Sequence, residues 1–199
     1  TAVEVGIKMA VQYFENRGLR KPGIIALENA YHGDTFGSMS VGARNVFTQA
    51  FSQLLFSVNH LPVPTKENKS SSIELLNRLL SIGDIGIFIF EPLVQGAGGM
   101  KMYEAELLSE MIEICKSHGV ICIADEVMTG FGRTGTMFAS DQLNVKPDII
   151  CLSKGLTGGV MPLGLTACSK FIYDAFFSVS SDKTFFHGHS LDRKSTRLN

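Results

Sequence analysis

Two residues able to run chemistry stand at the ends of two apolar runs. Asp125 closes the run at 120–124, and Lys154 follows the run at 148–152 after one serine, 29 positions further along the chain. In an open parallel sheet the carboxyl ends of neighbouring strands share one crevice, so an acid and an amine placed this way can face one ligand. An amine can join an aldehyde, and a carboxylate can keep a ring nitrogen protonated so that the ring accepts electrons. Pyridoxal phosphate asks for both. Asp125 and Lys154 are therefore the candidate catalytic pair and the candidate contacts to that cofactor.

Each residue also has a blander reading. A lysine at a strand end is commonly a solvated surface charge. Lys154, however, lies between small residues, and the Gly155-Leu156-Thr157-Gly158-Gly159 that follows is loop material that lets a ligand approach the backbone. Asp125 could be a helix cap or half of a buried ion pair, because a charge ending an apolar strand is costly unless paired. The tandem Asp125-Glu126 leaves room for one acid to act on a ligand while the other makes a structural bond.

The elements that must position these residues can be read in order. Val3, Ile7, Ala10, Val11 and Phe14 recur at helical spacing over residues 2–17, and Gly18 is a natural stop. A strand at 23–27 leads into the turn-rich Glu28-Asn29-Ala30-Tyr31-His32-Gly33-Asp34-Thr35. The polar run at 66–72 reads as a surface loop, followed by a helix at 73–82 with Leu75, Leu76, Leu79 and Leu80 inward. A strand at 86–90, the loop Gln95-Gly96-Ala97-Gly98-Gly99, and a helix at 104–118 come next. Strands at 120–124, 148–152 and 164–168 and a helix at 171–177 complete an α/β alternation, a mostly parallel sheet flanked by helices.

Composition narrows the function. With 45% hydrophobic residues, a formal charge of −1 and no run of about eighteen apolar residues, the chain is globular, with no basic field for nucleic acid or lipid. Small-molecule chemistry remains. Cys115, Cys122, Cys151 and Cys168 are scattered in apolar surroundings, which reads as core thiols in a reducing compartment, the cytoplasm. Gly130-Phe131-Gly132-Arg133-Thr134-Gly135 does not open a helix directly after a strand, so it is no dinucleotide fingerprint, and its arginine suits a carboxylate or a structural turn. His32, His187 and His189 lack a third ligand motif, so no metal is expected. Tyr31 is either a half-buried aromatic or a flat face for a planar cofactor.

Four segments together carry a resemblance: Tyr31-His32-Gly33-Asp34-Thr35-Phe36-Gly37, the stretch from Glu91-Pro92 to Gly98-Gly99, the stretch from Asp125-Glu126 to Thr134-Gly135, and Leu152-Ser153-Lys154-Gly155-Leu156-Thr157-Gly158-Gly159. They resemble the class III aminotransferases of pyridoxal-phosphate fold type I. The Tyr31-to-Thr35 segment and Met128 are most similar to the branch that moves an amino group from S-adenosylmethionine to 8-amino-7-oxononanoate in biotin synthesis. Relatives acting on ornithine, acetylornithine, 4-aminobutyrate or β-amino acids share the lysine and aspartate, and a non-catalytic domain of the same fold is a further alternative.

The resemblance implies roles. Lys154 holds the cofactor aldehyde, Asp125 meets the pyridine nitrogen, Tyr31 lines the cofactor and substrate pocket, and Val127 packs on the ring. Gly188, His189 and Ser190 match a segment that reaches the neighbouring subunit's site, with Ser190 on the cofactor phosphate, so a homodimer with a shared active site is implied. Arg133 and Glu91, with Gly188, are expected on the substrate side. The family's main phosphate loop is expected before Thr1 and its small C-terminal domain beyond the chain. Residues 1–190 are thus expected to be part of the large cofactor-binding domain, inactive alone, and residues 191–199, which match nothing in the family, a foreign or unstructured tail.

Overall fold

Apolar runs become strands here because both faces of the sheet are covered. A computed structural model describes residues 1–179 and 181–188. Helix α1 spans Ala2–Asn16, strand β1 Gly23–Leu27 and the short helix α2 Phe36–Val41. Strand β2 (Asn59–Leu61), helix α3 (Lys69–Ser81) and strand β3 (Ile85–Phe90) follow. Next are the two-residue strands β4 (Val94–Gln95) and β5 (Lys101–Met102), helix α4 (Ala105–Ser117) and strand β6 (Ile121–Asp125). Strands β7 (Ile149–Leu152) and β8 (Leu165–Cys168) and helix α5 (Lys170–Phe176) complete the set.

The main sheet has the order β2-β1-β3-β6-β7-β8. Its first five strands run parallel, and β8 pairs antiparallel to β7. Alternate residues serve opposite faces, as the pleat requires. Ile25, Leu27, Phe88, Phe90, Cys122 and Ala124 pack with Leu76 and Leu80 of α3 and Leu108, Met111 and Ile112 of α4. Ile24, Ala26, Ile87, Ile89, Ile121 and Ile123 pack with Val3, Ile7 and Phe14 of α1 and Ile172 of α5. Each such Leu, Ile or Phe contributes about 1.5–3 kcal/mol by leaving water.

Most element ends fall within a residue or two of those read from the sequence, with informative exceptions. The polar run at 66–72 is not all loop, since α3 begins at Lys69. Asn68 Oδ1 accepts the Thr65 N–H at 2.7 Å and Thr65 Oγ1 accepts the Asn68 N–H at 3.2 Å, closing a turn that launches the helix. Short polar side chains favour helix starts for that reason. Val11 belongs to the helical stripe by spacing but is 49% exposed. The glycine-rich loop after Glu91 closes a small antiparallel pair, Val94 opposite Met102 and Gln95 opposite Lys101.

All four cysteines are free thiols. Burial pushes the Cys122 and Cys151 thiols well above their usual range, which suits inert core residues. Among the described residues no helix is long and apolar enough to cross a membrane.

Candidate active site

Strands β1, β3, β6 and β7 are consecutive neighbours in the sheet, and each delivers a polar residue to the same carboxyl edge. Tyr31 and His32 follow β1, Glu91 follows β3, Asp125 ends β6 and Lys154 follows β7. The chain reverses its sheet order between β1 and β3, and in open α/β sheets such a switch point makes the binding crevice.

Lys154 is reached through the β6–β7 ladder. Asp125 stands opposite Cys151, the Glu126 N–H donates to the Cys151 carbonyl at 2.9 Å, and Lys154 lies three residues beyond Cys151. Lys154 has φ +40° and opens a single 3₁₀ turn, Lys154–Leu156. A non-glycine residue there costs roughly 1–2 kcal/mol, so its surroundings must hold it. They do so through Gly155: a Cβ on that residue would lie 2.7 Å from the Phe131 ring, so the backbone is wedged against the ring where a side chain has no room. The Lys154 side chain is exposed, and among the described residues its amine makes no hydrogen bond or ion pair.

Asp125 is 4% exposed, and both carboxylate oxygens are held. Oδ1 accepts the Val127 N–H at 3.0 Å, and Oδ2 lies 2.8 Å from His32 Nδ1. An ionised carboxylate only accepts, so Nδ1 carries the proton and donates it. The opposite ring nitrogen, His32 Nε2, is buried with no hydrogen-bond partner among the described residues. Local sequence carries no signal for this pairing. The two residues are 93 positions apart, and His32 stood out only as an unsupported metal ligand.

The neighbouring acid has the structural task that the tandem allowed. Glu126 is fully buried and accepts the Thr129 hydroxyl at 2.5 Å and the N–H groups of Ala139 at 3.0 Å and Ser140 at 2.7 Å. Glu126→Ala strands these donors and should destabilise the full-length protein by about 3–5 kcal/mol. Denaturant unfolding checks this; a change below about 1 kcal/mol would contradict it.

Glu91, also buried, braces two loops. Its Oε1 accepts the Tyr31 N–H at 3.3 Å, Oε2 accepts the Gly96 N–H at 3.0 Å, and its carbonyl accepts the Tyr103 hydroxyl. Burial lifts this carboxyl above its ordinary value of 4.5, and His32 and the Gly96 N–H pull it partly back. A folded-state value above the unfolded one favours the fold below pH 4.5, and that contribution is lost as pH rises through the folded value. Wild type should therefore lose stability relative to Glu91→Gln as pH is raised from 4.5, measured by denaturant unfolding at a series of pH values. A pH-independent difference would refute this.

Tyr31 is 43% exposed and donates its phenol to Asp34 Oδ2 at 3.0 Å. Burial first, then Asp34, raises the phenol's pKa. With His32, Asn45, Phe47 and Phe51 it lines a cavity of about 440 Å³. Val127 is half-buried two residues after Asp125, while Arg133 is exposed on the turn between Gly130 and Met137 and makes no hydrogen bond among the described residues. Gly188 is exposed, and His189 and Ser190 lie outside the described residues.

Residues 1–191 match the family model of the class III aminotransferases, and the chain belongs to that family. The resemblance read from the four motifs is borne out, as is the mostly parallel α/β fold. Among its relatives, adenosylmethionine-8-amino-7-oxononanoate aminotransferase of Synechococcus elongatus is 48% identical over 198 residues, covering 96% of this chain and 47% of its own length. The protein of the same name from Geobacter sulfurreducens is 42% identical, covering 96% of this chain and 45% of its own. The crystal structure of that aminotransferase from Methanocaldococcus jannaschii superimposes with a TM-score of 0.86 at 40% identity, covering 95% of this chain and 44% of that one. An amine transaminase from an uncultivated Pseudomonas species, solved in PLP-bound form, gives 0.87 at 36% identity, covering 94% and 46%. The chain thus spans under half the length of these relatives.

Pyridoxal 5′-phosphate is the cofactor of this family. The residues present fit it. A carboxylate pinned on both oxygens can face a ring N–H, an amine with no partner among the described residues stands just past the adjoining strand, and the aromatic Tyr31 follows β1 at the same sheet edge.

Proposed function

We propose that the protein to which this chain belongs transfers an amino group from S-adenosylmethionine to 8-amino-7-oxononanoate, giving 7,8-diaminononanoate for biotin synthesis. One observation carries this reading: relatives bearing that activity's name match 94–96% of the chain at 38–48% identity. The residues at the carboxyl edge support it.

Pyridoxal phosphate, when bound, supplies an aldehyde carbon and a ring that accepts electrons. Asp125 would hold its ring nitrogen protonated, the Val127 N–H and His32 keeping the carboxylate aimed. Lys154 would hold the aldehyde through its amine and, once freed, move the proton at the substrate carbon that bears the transferred nitrogen. Tyr31 and Val127 would flank the ring, and Glu91, Arg133 and Gly188 would serve the substrate side, Glu91 through the loops it braces.

In the same reading the protein is a cytoplasmic homodimer in which Gly188, His189 and Ser190 reach the partner's site, Ser190 on the cofactor phosphate. Residues 1–190 are part of its large cofactor-binding domain and turn nothing over alone, and residues 191–199 are foreign to it. The amine transaminase neighbours share the fold equally well, so the donor is the discriminating measurement. Loss of the full-length protein's pyridoxal absorbance on adding S-adenosylmethionine, but not ornithine or 4-aminobutyrate, is the expected result. Bleaching by either amino acid and not by S-adenosylmethionine would reassign the protein within the family.

A further inference from the structure

We propose that Glu4 is a positioning residue for this site: from the first turn of α1 its carboxylate fixes the start of α2 and so holds the turn at 31–34 with His32 seated on Asp125. The Thr35 hydroxyl donates to Glu4 Oε2 at 2.5 Å, and the Ser38 N–H donates to the same oxygen at 3.1 Å. Thr35 is the N-cap of α2 but makes no side-chain cap bond of its own. Glu4 therefore supplies from another helix the acceptor that an N-cap side chain normally provides.

The contact is close enough to dictate its surroundings. A Cβ on Gly37 would lie 2.6 Å from Glu4 Oε2 and 2.7 Å from Oε1, so the carboxylate rests against bare backbone. Glu4 cannot withdraw freely, because Val3 and Ile7 on the same helix are locked into the core. His32 is three residues before Thr35 on one short connection, which is tied from its other side by the Tyr31 N–H to Glu91 and beyond α2 by the Ala43 N–H to the Ala30 carbonyl at 2.8 Å. Glu4 is the tie that comes from α1, and releasing it frees the end of the connection that carries His32.

The effect of this tie on the cofactor rests on the role given above to Asp125. In the full-length protein, Glu4→Asp keeps the charge but withdraws it by about 1.5 Å, whereas Glu4→Gln keeps an acceptor oxygen at the same reach. Glu4→Asp and Glu4→Ala should weaken pyridoxal phosphate binding about tenfold, and Glu4→Gln less than about threefold. Both disruptive variants should also shift the His32 ring-proton resonance in the cofactor-free protein. In a His32→Asn background, Glu4→Ala should have no further effect on cofactor affinity, since the two residues act in series. Additive effects of the two substitutions, or a lowered melting temperature with His32 resonance and cofactor affinity unchanged, would overturn the proposal. No amino donor or acceptor enters these measurements, so failure of the substrate reading leaves this result standing, and the reverse holds too.

Discussion

Lys154→Ala in the full-length protein should cut turnover by at least about 10,000-fold, because under the proposed function one substitution removes both the amine that would hold the aldehyde and the group that would move the proton. Folding should be nearly untouched. The side chain is exposed and has no hydrogen-bond or ion-pair partner among the described residues, and surface changes of that kind usually stay within about 0.5 kcal/mol. Lys154→Arg should fail almost as completely, since a guanidinium keeps the charge but does not release a proton at working pH. Steady-state rates with matched unfolding curves check both variants. Turnover of Lys154→Ala within tenfold of wild type would refute the assignment.

Asp125→Asn should cost about 100- to 1,000-fold in turnover while leaving most of the protein folded. The carboxylate accepts on both oxygens, from Val127 N–H and His32 Nδ1, whereas an amide has one acceptor and must turn its NH₂ toward one of those donors. Charge and aim are lost together. His32→Asn leaves the charge and removes only its lateral support, so its loss should be smaller, about tenfold. Should His32→Asn prove as damaging as Asp125→Asn, the imidazole acts on the reaction in its own right. His32→Ala is a poorer probe, because deleting one member of a buried pair can itself cost about 3–5 kcal/mol.

What the sequence made legible follows from local chemistry. Strands β3, β6 and β7 were visible because a strand buried on both faces must be almost continuously apolar, and their ends located Glu91, Asp125 and Lys154. The tandem Asp125-Glu126 leaves room for one acid to make a structural bond, and Glu126 makes it, since adjacent side chains at a strand end point in opposite directions. Contacts between distant segments were not. His32 and Glu4 sit in a turn and on a helix where their own neighbours suggest nothing, and their partners are 93 and 31 positions away. The start of α3 is hidden because Lys69-Ser70-Ser71-Ser72 belongs to a run with no apolar periodicity, and Asn68 and Thr65 set it through a turn whose bonds depend on backbone geometry. The left-handed backbone of Lys154 was equally hidden, since lysine carries no signal for it.

The most direct test is chemical. The cofactor-loaded full-length protein is reduced with borohydride, digested and mapped for the peptide that retains the pyridoxyl group. The expected label sits on Lys154, and Asp125→Asn should still carry it there, because holding the ring and holding the aldehyde are separate tasks. A label on any other lysine, or none on a protein that has demonstrably bound pyridoxal phosphate, would contradict the convergence of β6 and β7 on one cofactor.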